Sequence, residues 1–249
     1  MKNKVRCYIK RIFLHNLLWN IKQYRKALKS LRPIAERICC ICGYQGFFGI
    51  AGSPPRIDIR CPKCYSKERH RLLWLALERN LIADEIAVDD KVIHFAPEQG
   101  LEKRLRERWN NYSTADIKQT ADLILNIEDI NLPDSSVKLV IANHVLEHVD
   151  DLRSASEISR ILRKDGLLIC MVPIIEGWDT TYENEDIDTK HGRLLHFGQK
   201  DHVRFYGRDF KDRIERGGLK LEREVTAKGE DVVKYALRRG EKVFVFSKG

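Results

Sequence analysis

The sequence predicts an α/β fold: a largely parallel sheet with helices on both faces, preceded by a small cysteine-bearing subdomain and a basic amphipathic helix. Three observations carry this. From Lys91 onward, short β-rich runs alternate with helical stretches of about ten residues, the pattern of parallel strands joined by crossover helices. Two C-x2-C pairs stand 18 residues apart. Residues 1–32 hold ten Lys and Arg and no Asp or Glu.

That last segment accounts for the net charge. The 249 residues carry a formal +9, but without residues 1–32 there remain 35 basic against 36 acidic side chains. The body is therefore near neutral. Within the segment Ile9, Ile12, Phe13, Leu17, Ile21, Tyr24, Leu28 and Leu31 recur at three- and four-residue steps, while Arg11, Lys22, Arg25, Lys26 and Lys29 gather opposite, which predicts a helix ended by Pro33. Such a helix either docks on an anionic membrane or packs its apolar face on its own domain. Its apolar run is broken at His15-Asn16 and no small-residue cleavage site follows, so a secretory signal is not expected and the cytoplasm is. A collagen, a coiled-coil rod, a disordered chain and a disulfide scaffold are excluded by composition, and no apolar run reaches the roughly 18 residues of a membrane span.

Residues 33–66 hold Cys39-Cys40-Ile41-Cys42 and Cys61-Pro62-Lys63-Cys64 around a Gly- and Pro-rich loop. Two such knuckles can converge four thiolates on one tetrahedral zinc, so Cys39, Cys42, Cys61 and Cys64 are the candidate ligands of a closed, structural site. Cys40 could replace Cys39 only with a tighter C-x-C bite. The alternative is a set of free thiols in a reducing compartment. Cys7 and Cys170 read as ordinary thiols.

From residue 67 to 249 the pattern gives a helix over 67–84, strands over 91–96, 112–117, 123–127, 137–143 and 166–173, helices over 100–109 and 152–163, then a polar, histidine-rich insertion over 174–207. A helix over 209–216 and two late strands, 220–226 and 242–247, close the chain.

Between Lys91 and Pro173 the sequence resembles the class I S-adenosylmethionine-dependent methyltransferases. The resemblance is carried by Asn126 to Val140 (NIEDINLPDSSVKLV), by Asn143-His144-Val145-Leu146-Glu147-His148-Val149 and by Arg160 to Leu168 (RILRKDGLL). Cysteine-bearing forms from cell-surface polysaccharide gene clusters look most similar, sharing the C-x2-C pair, His94-Phe95-Ala96-Pro97-Glu98 and Asp201-His202-Val203-Arg204-Phe205-Tyr206-Gly207. The resemblance implies a Rossmann-like methyltransferase sheet that binds S-adenosylmethionine, with Ala96, Glu98, Gly100, Asp116, Asn126, Ile127 and Asn143 at cofactor positions. In the first loop His94 stands where Asp is usual and Ala96 and Glu98 where glycines are usual; only Gly100 is kept. Glu98 is expected to compensate by contacting the cofactor. Asp116 suits the ribose hydroxyls on chemical grounds alone, because a strand-end carboxylate can accept from both.

Methyl transfer needs an aligned acceptor and, for an oxygen or nitrogen acceptor, a group to take its proton. Glu147 and His148 after the fourth strand, and His202 and Arg204 in the insertion, are the catalytic candidates. The expected acceptor is a small molecule or a glycan precursor, lipid-linked if the basic helix meets the inner membrane face. An RNA methyltransferase is the alternative, disfavoured by the neutral body, and a non-catalytic binding protein with a degenerate loop is another.

Overall fold

The computed structural model describes residues 2–30, 34–52 and 55–249, with the side chains of residues 2–14 and 30 left out. The helix end at Leu31 to Pro33, Pro54 and the Cys7 thiol lie outside the described residues. Helix α1 (Lys2–Ser30) is longer than the 9–31 expected. Leu17, Leu18, Trp19, Ile21, Tyr24 and Leu28 on it are all exposed, as are Lys22, Arg25, Lys26 and Lys29, so these apolar and basic side chains lie open to solvent. No helix among the described residues is long and apolar enough to cross a membrane.

Two small antiparallel pairs follow, β1 (Arg37–Ile38) with β2 (Gln45–Gly46) and β3 (Gly49–Ala51) with β4 (Arg56–Arg60), carrying the cysteines between and beside them. Helix α2 (Glu68–Glu78) is shorter than the sequence suggests. Asn80 and Ala83 adopt positive φ (52° and 55°), and a left-handed residue just past the last turn stops a helix. Next come β5 (Val92–Phe95), α3 (Gln99–Arg108), β6 (Tyr112–Asp116) and β7 (Leu123–Ile124). The expected strand to 127 ends early because the Asn126 side chain accepts from the Glu128 N–H (3.0 Å) and turns the chain. Then follow β8 (Val137–Asn143), α4 (Asp151–Ile161), β9 (Leu162–Met171), β10 (Tyr182–Glu183), α5 (Lys190–Phe197), β11 (Arg204–Phe205), α6 (Phe210–Glu215), β12 (Leu219–Thr226), α7 (Glu230–Lys234) and β13 (Lys242–Lys248).

Seven strands form one sheet in the order β12-β13-β9-β8-β5-β6-β7, parallel from β9 to β7, with β13 antiparallel to both β9 and β12. Alternation along the strands fills two cores. Leu139, Ile141, Leu167, Ile169, Val243 and Val245 face the layer holding α2, α3 and the cysteine subdomain. Ala142, Leu168, Cys170, Phe244 and Phe246 face α4 and α6. The strand order reverses between β5 and β8, and in open α/β sheets the crevice outside the carboxyl ends at such a point is where ligands bind.

Candidate functional site

Three segments meet at that crevice. The first is the loop after β5. Ala96 has φ 46°, a left-handed conformation that costs a non-glycine residue about 1 kcal/mol and sits where a glycine would be at ease. Fully buried His94 accepts a hydrogen bond from the Tyr112 hydroxyl on Nδ1 (2.7 Å); burial pushes the Tyr112 pKa up, so the phenol stays a donor. His94 Nε2 lies 3.0 Å from one Glu98 oxygen and His70 Nε2 3.7 Å from the other, close approaches without hydrogen-bond geometry. Burial would raise the Glu98 pKa, but the adjacent His94 and His70 imidazoles hold it down to about 2. The Glu98 carboxylate therefore sits buried beside two imidazoles with neither oxygen hydrogen-bonded. Gly100 has a second duty, since a Cβ there would lie 3.0 Å from the Cys64 carbonyl and 3.2 Å from Ser66 Cβ.

At the neighbouring strand ends, Asp116 closes β6 and accepts from the Lys118 N–H through Oδ1 (3.0 Å). Asn126 is spent on its turn, and Ile127 is buried beside it. Asn143 ends β8 almost fully buried, with neither amide atom paired. An orphaned buried amide of this kind needs a partner that can both donate and accept.

The second segment is the turn after β8. His144 has φ 54° and its Nδ1 meets Glu147 Oε1 at 3.1 Å, while Nε2 lies 3.6 Å from Glu241 Oε1. Burial lowers the His144 pKa, but the two carboxylates win and raise it. Glu147 is held below the usual range by His144 against its own burial. His148 donates from Nδ1 to the Asp201 carbonyl (3.1 Å), and its ring meets His202 edge-on at 4.7 Å.

The third segment is the insertion, which contains α5 and the β10–β11 pair where the sequence showed only a polar stretch. The Val203 N–H donates to the Glu147 carbonyl (3.0 Å), bringing His202 beside the turn. Arg204 is expected to be catalytic, and the structure gives it a different position. Its guanidinium donates to the Leu146 and Val149 carbonyls and to Glu183, so it clamps the turn from behind. Arg213 and the Tyr206 hydroxyl converge with it on buried Asp151.

A cleft of about 640 Å³ opens at the carboxyl ends of β8 and β9, lined by His144 and His202 and rimmed by Arg56, Arg69, Arg238 and Arg239. Arg69 Nε is buried there without a partner.

On the other side of the loop, Cys39 Sγ lies 3.5 Å from Cys64 Sγ and Cys42 Sγ 3.6 Å from Cys61 Sγ, with all four sulfurs within 4.8 Å of one another. Zinc–sulfur bonds of about 2.3 Å in a tetrahedron put sulfurs about 3.8 Å apart, so this donor set fits one zinc. Cys40 points elsewhere, to the Arg71 carbonyl, and burial pushes its pKa up to about 12.

Residues 86–170 match the family model described as a methyltransferase domain. A search of the curated proteins returns no match. Among solved structures the chain is similar to an S-adenosylmethionine-dependent methyltransferase from Mesorhizobium loti (TM-score 0.51, 13% identity, covering 71% of this chain and 98% of that one). It is also similar to the [4+2]-cyclase SpnF (TM-score 0.50, 13% identity, covering 72% and 81%). With the switch-point crevice, the family match gives the chain a methyltransferase domain over residues 86–170 on a Rossmann-like sheet, a fold whose cofactor is S-adenosylmethionine. Unpaired Asn143 and strand-end Asp116 fit the polar groups of that cofactor at the crevice.

Proposed function

We propose that the enzyme methylates a phosphate-bearing small molecule or glycan precursor, presented at an anionic membrane surface on which α1 docks. The observation that carries this reading is the cleft beside the crevice: a histidine-lined interior where Arg56, Arg69, Arg238, Arg239 and Lys242 outnumber Glu176 and Glu241, on a body whose net charge is otherwise near zero. An arginine fork matches phosphate oxygens, and Arg69 has an unpaired N–H there. A cleft of this size suits a compact acceptor.

S-adenosylmethionine supplies a methyl carbon already activated by its sulfonium. The protein's part is alignment and proton removal. Asp116 accepts from the ribose hydroxyls, the Asn143 amide pairs with polar groups of the cofactor, and Ala96, Gly100, Asn126 and Ile127 offer backbone along the crevice. Glu98, buried in the loop with neither oxygen hydrogen-bonded, contacts the cofactor's polar groups. The acceptor's hydroxyl is held, and loses its proton, beside the Glu147, His148 and His202 cluster, which Arg204 holds in place. Zinc on Cys39, Cys42, Cys61 and Cys64 ties the cysteine subdomain to the loop. Exposed Leu17, Trp19, Ile21 and Leu28 enter the lipid interface and Lys22, Arg25, Lys26 and Lys29 meet its anionic headgroups. The work is then done at the cytoplasmic face, and the resemblance to polysaccharide-cluster forms supports a glycan precursor.

The test offers methyl-labelled S-adenosylmethionine and purified enzyme to lipid extract, soluble metabolites and total RNA. Label should enter a phosphate-bearing lipid or soluble compound. Label in RNA alone would refute the acceptor assignment.

A further inference from the structure

Glu147, His148 and His202 offer a carboxylate oxygen and two imidazole nitrogens that all lie within 4.8 Å of one another. Each is tied down on its far side. Glu147 spends Oε1 on His144, leaving Oε2 buried with no protein partner. His148 Nδ1 faces the Asp201 carbonyl, which can only accept, so Nδ1 holds the proton and Nε2 keeps its lone pair. His202 is 3% exposed, anchored through the Val203 N–H, and its Nδ1 has no protein partner. A histidine that donates one ring N–H to a carbonyl and leaves the other nitrogen free is how metal-ligating imidazoles are oriented. Buried polar atoms left unpaired are costly, and here they gather at one point.

We propose that Glu147, His148 and His202 bind one divalent first-row transition-metal ion beside the cleft, with coordination positions left open for oxygen atoms of the methyl acceptor. Two imidazoles and a carboxylate suit Mn²⁺, Fe²⁺, Co²⁺ or Zn²⁺ better than the all-oxygen cations, and three protein ligands leave room for substrate. The site differs in kind from the four thiolates, which would enclose their ion. His144 is a positioning residue that orients Glu147. The ion's role rests on the methyl-transfer reading: it holds an acceptor hydroxyl and makes its proton easier to remove. In the transfer the O–H bond breaks and its proton passes to water in the cleft. The oxygen's electron pair forms the bond to the methyl carbon, and the carbon–sulfur pair returns to sulfur, so no oxidant or reductant is consumed.

For the test, full-length protein is dialysed against EDTA and reloaded with one equivalent of Zn²⁺, which the softer thiolate set takes first. Mn²⁺ is then titrated in and free Mn²⁺ is read by electron paramagnetic resonance. One Mn²⁺ should bind per chain. With the circular dichroism spectrum unchanged, His148→Ala and Glu147→Gln should weaken it by about 100-fold or more and His144→Ala by about 10-fold. No saturable binding, or binding unchanged in His148→Ala and Glu147→Gln, overturns the site. Methyl transfer measured in parallel separates the two readings. Transfer that needs added Mn²⁺ supports both. Transfer undiminished without it overturns the ion's role while the enzyme reading stands. Tight Mn²⁺ binding with no methylated acceptor leaves the site standing and overturns the acceptor reading.

Discussion

Asp151→Ala probes the cluster that holds the insertion against the turn after β8. Asp151 is 1% exposed and accepts from Arg213 Nε and Nη2, each at 2.8 Å, and from the Tyr206 hydroxyl at 3.0 Å. Glu183 accepts from Arg213 and Arg204 as well, so two arginines face two carboxylates. Removing Asp151 leaves one buried positive charge uncompensated, which costs about 3–5 kcal/mol. Because Glu183 keeps part of both guanidiniums paired, the lower half applies, about 3–4 kcal/mol. At about 2–4 °C per kcal/mol for a chain of this size, the melting temperature should fall by about 10 °C. Urea unfolding at pH 7 followed by circular dichroism measures it. The pH dependence has a definite sign. Burial alone would raise the Asp151 pKa, yet the Arg213 hydrogen bonds and the charge of Arg204 lower it. Its contribution is therefore complete above the unfolded-state carboxylate pKa of about 4 and is lost as pH falls below it. The gap between wild type and Asp151→Ala should shrink on acidification from pH 5 to pH 3. A cost under about 1 kcal/mol at pH 7, or a gap flat across that window, would show that the cluster is not the clamp described.

Four further outcomes are expected. Asp116→Ala should weaken S-adenosylhomocysteine binding by about 10- to 100-fold in calorimetry, the loss of a hydrogen bond to a charged group; unchanged affinity would remove Asp116 from the cofactor site. Metal analysis should find about one zinc on the four thiolates, and Cys61→Ser should release it and lower the unfolding midpoint; zinc retained at full stoichiometry would contradict the four-cysteine site. Burial lowers the His70 pKa to about 3, so the folded state keeps His70 neutral and loses stability as pH falls from about 6.5 toward that value. His70→Gln should therefore differ from wild type by up to about 1.4 kcal/mol less per pH unit on acidification, and parallel profiles would refute this. Deleting residues 1–32 should abolish sedimentation with anionic vesicles while leaving cofactor affinity unchanged; vesicle binding by the truncated protein would disprove docking through α1.

The sheet was legible because buried parallel strands must be continuous apolar runs and their alternation must fill two cores. VKLVIAN at β8 and the apolar half of β9 do both. The cysteine pairs were legible because metal geometry constrains spacing. Glu147 and His148 were visible as neighbours after a strand, but His202 joins them from 54 residues further on, through a backbone bond that no local pattern encodes. Arg204 shows the limit most clearly. An arginine beside a histidine in a polar insertion reads as a site residue, whereas its partners are two carbonyls and two carboxylates on distant segments. The end of α2 and the turn at Asn126 depended on positive φ and a side-chain hydrogen bond, which periodicity does not register.

Two oddities of the sequence, the glycine-poor first loop and the cysteine knuckles, have one physical origin. In the usual loop, glycines let the backbone take its own shape. Here the loop is braced by neighbours: Glu98 reaches His70 on α2, Gly100 closes against Cys64 and Ser66, and Arg104 of α3 donates to the Ile41 carbonyl (2.9 Å). The knuckles in turn are fused to the body, because Cys39, Ile41, Phe48 and Cys61 belong to the same core as Leu72 and Leu139. Arg71, fully buried, donates to the Ser66, Ile59, Tyr235 and Ala236 carbonyls, and Ser66 Oγ lies 3.4 Å from Cys39 Sγ and 3.2 Å from Cys64 Sγ. Its hydrogen-bond acceptors carry no formal charge. Four thiolates on one divalent cation carry a net −2, which is the countercharge that a buried guanidinium requires. A metal on the four thiolates would join Arg71 and the braced loop into one mechanical unit, and the residues that replace the glycines would be tolerated because that unit fixes what glycine would otherwise leave free.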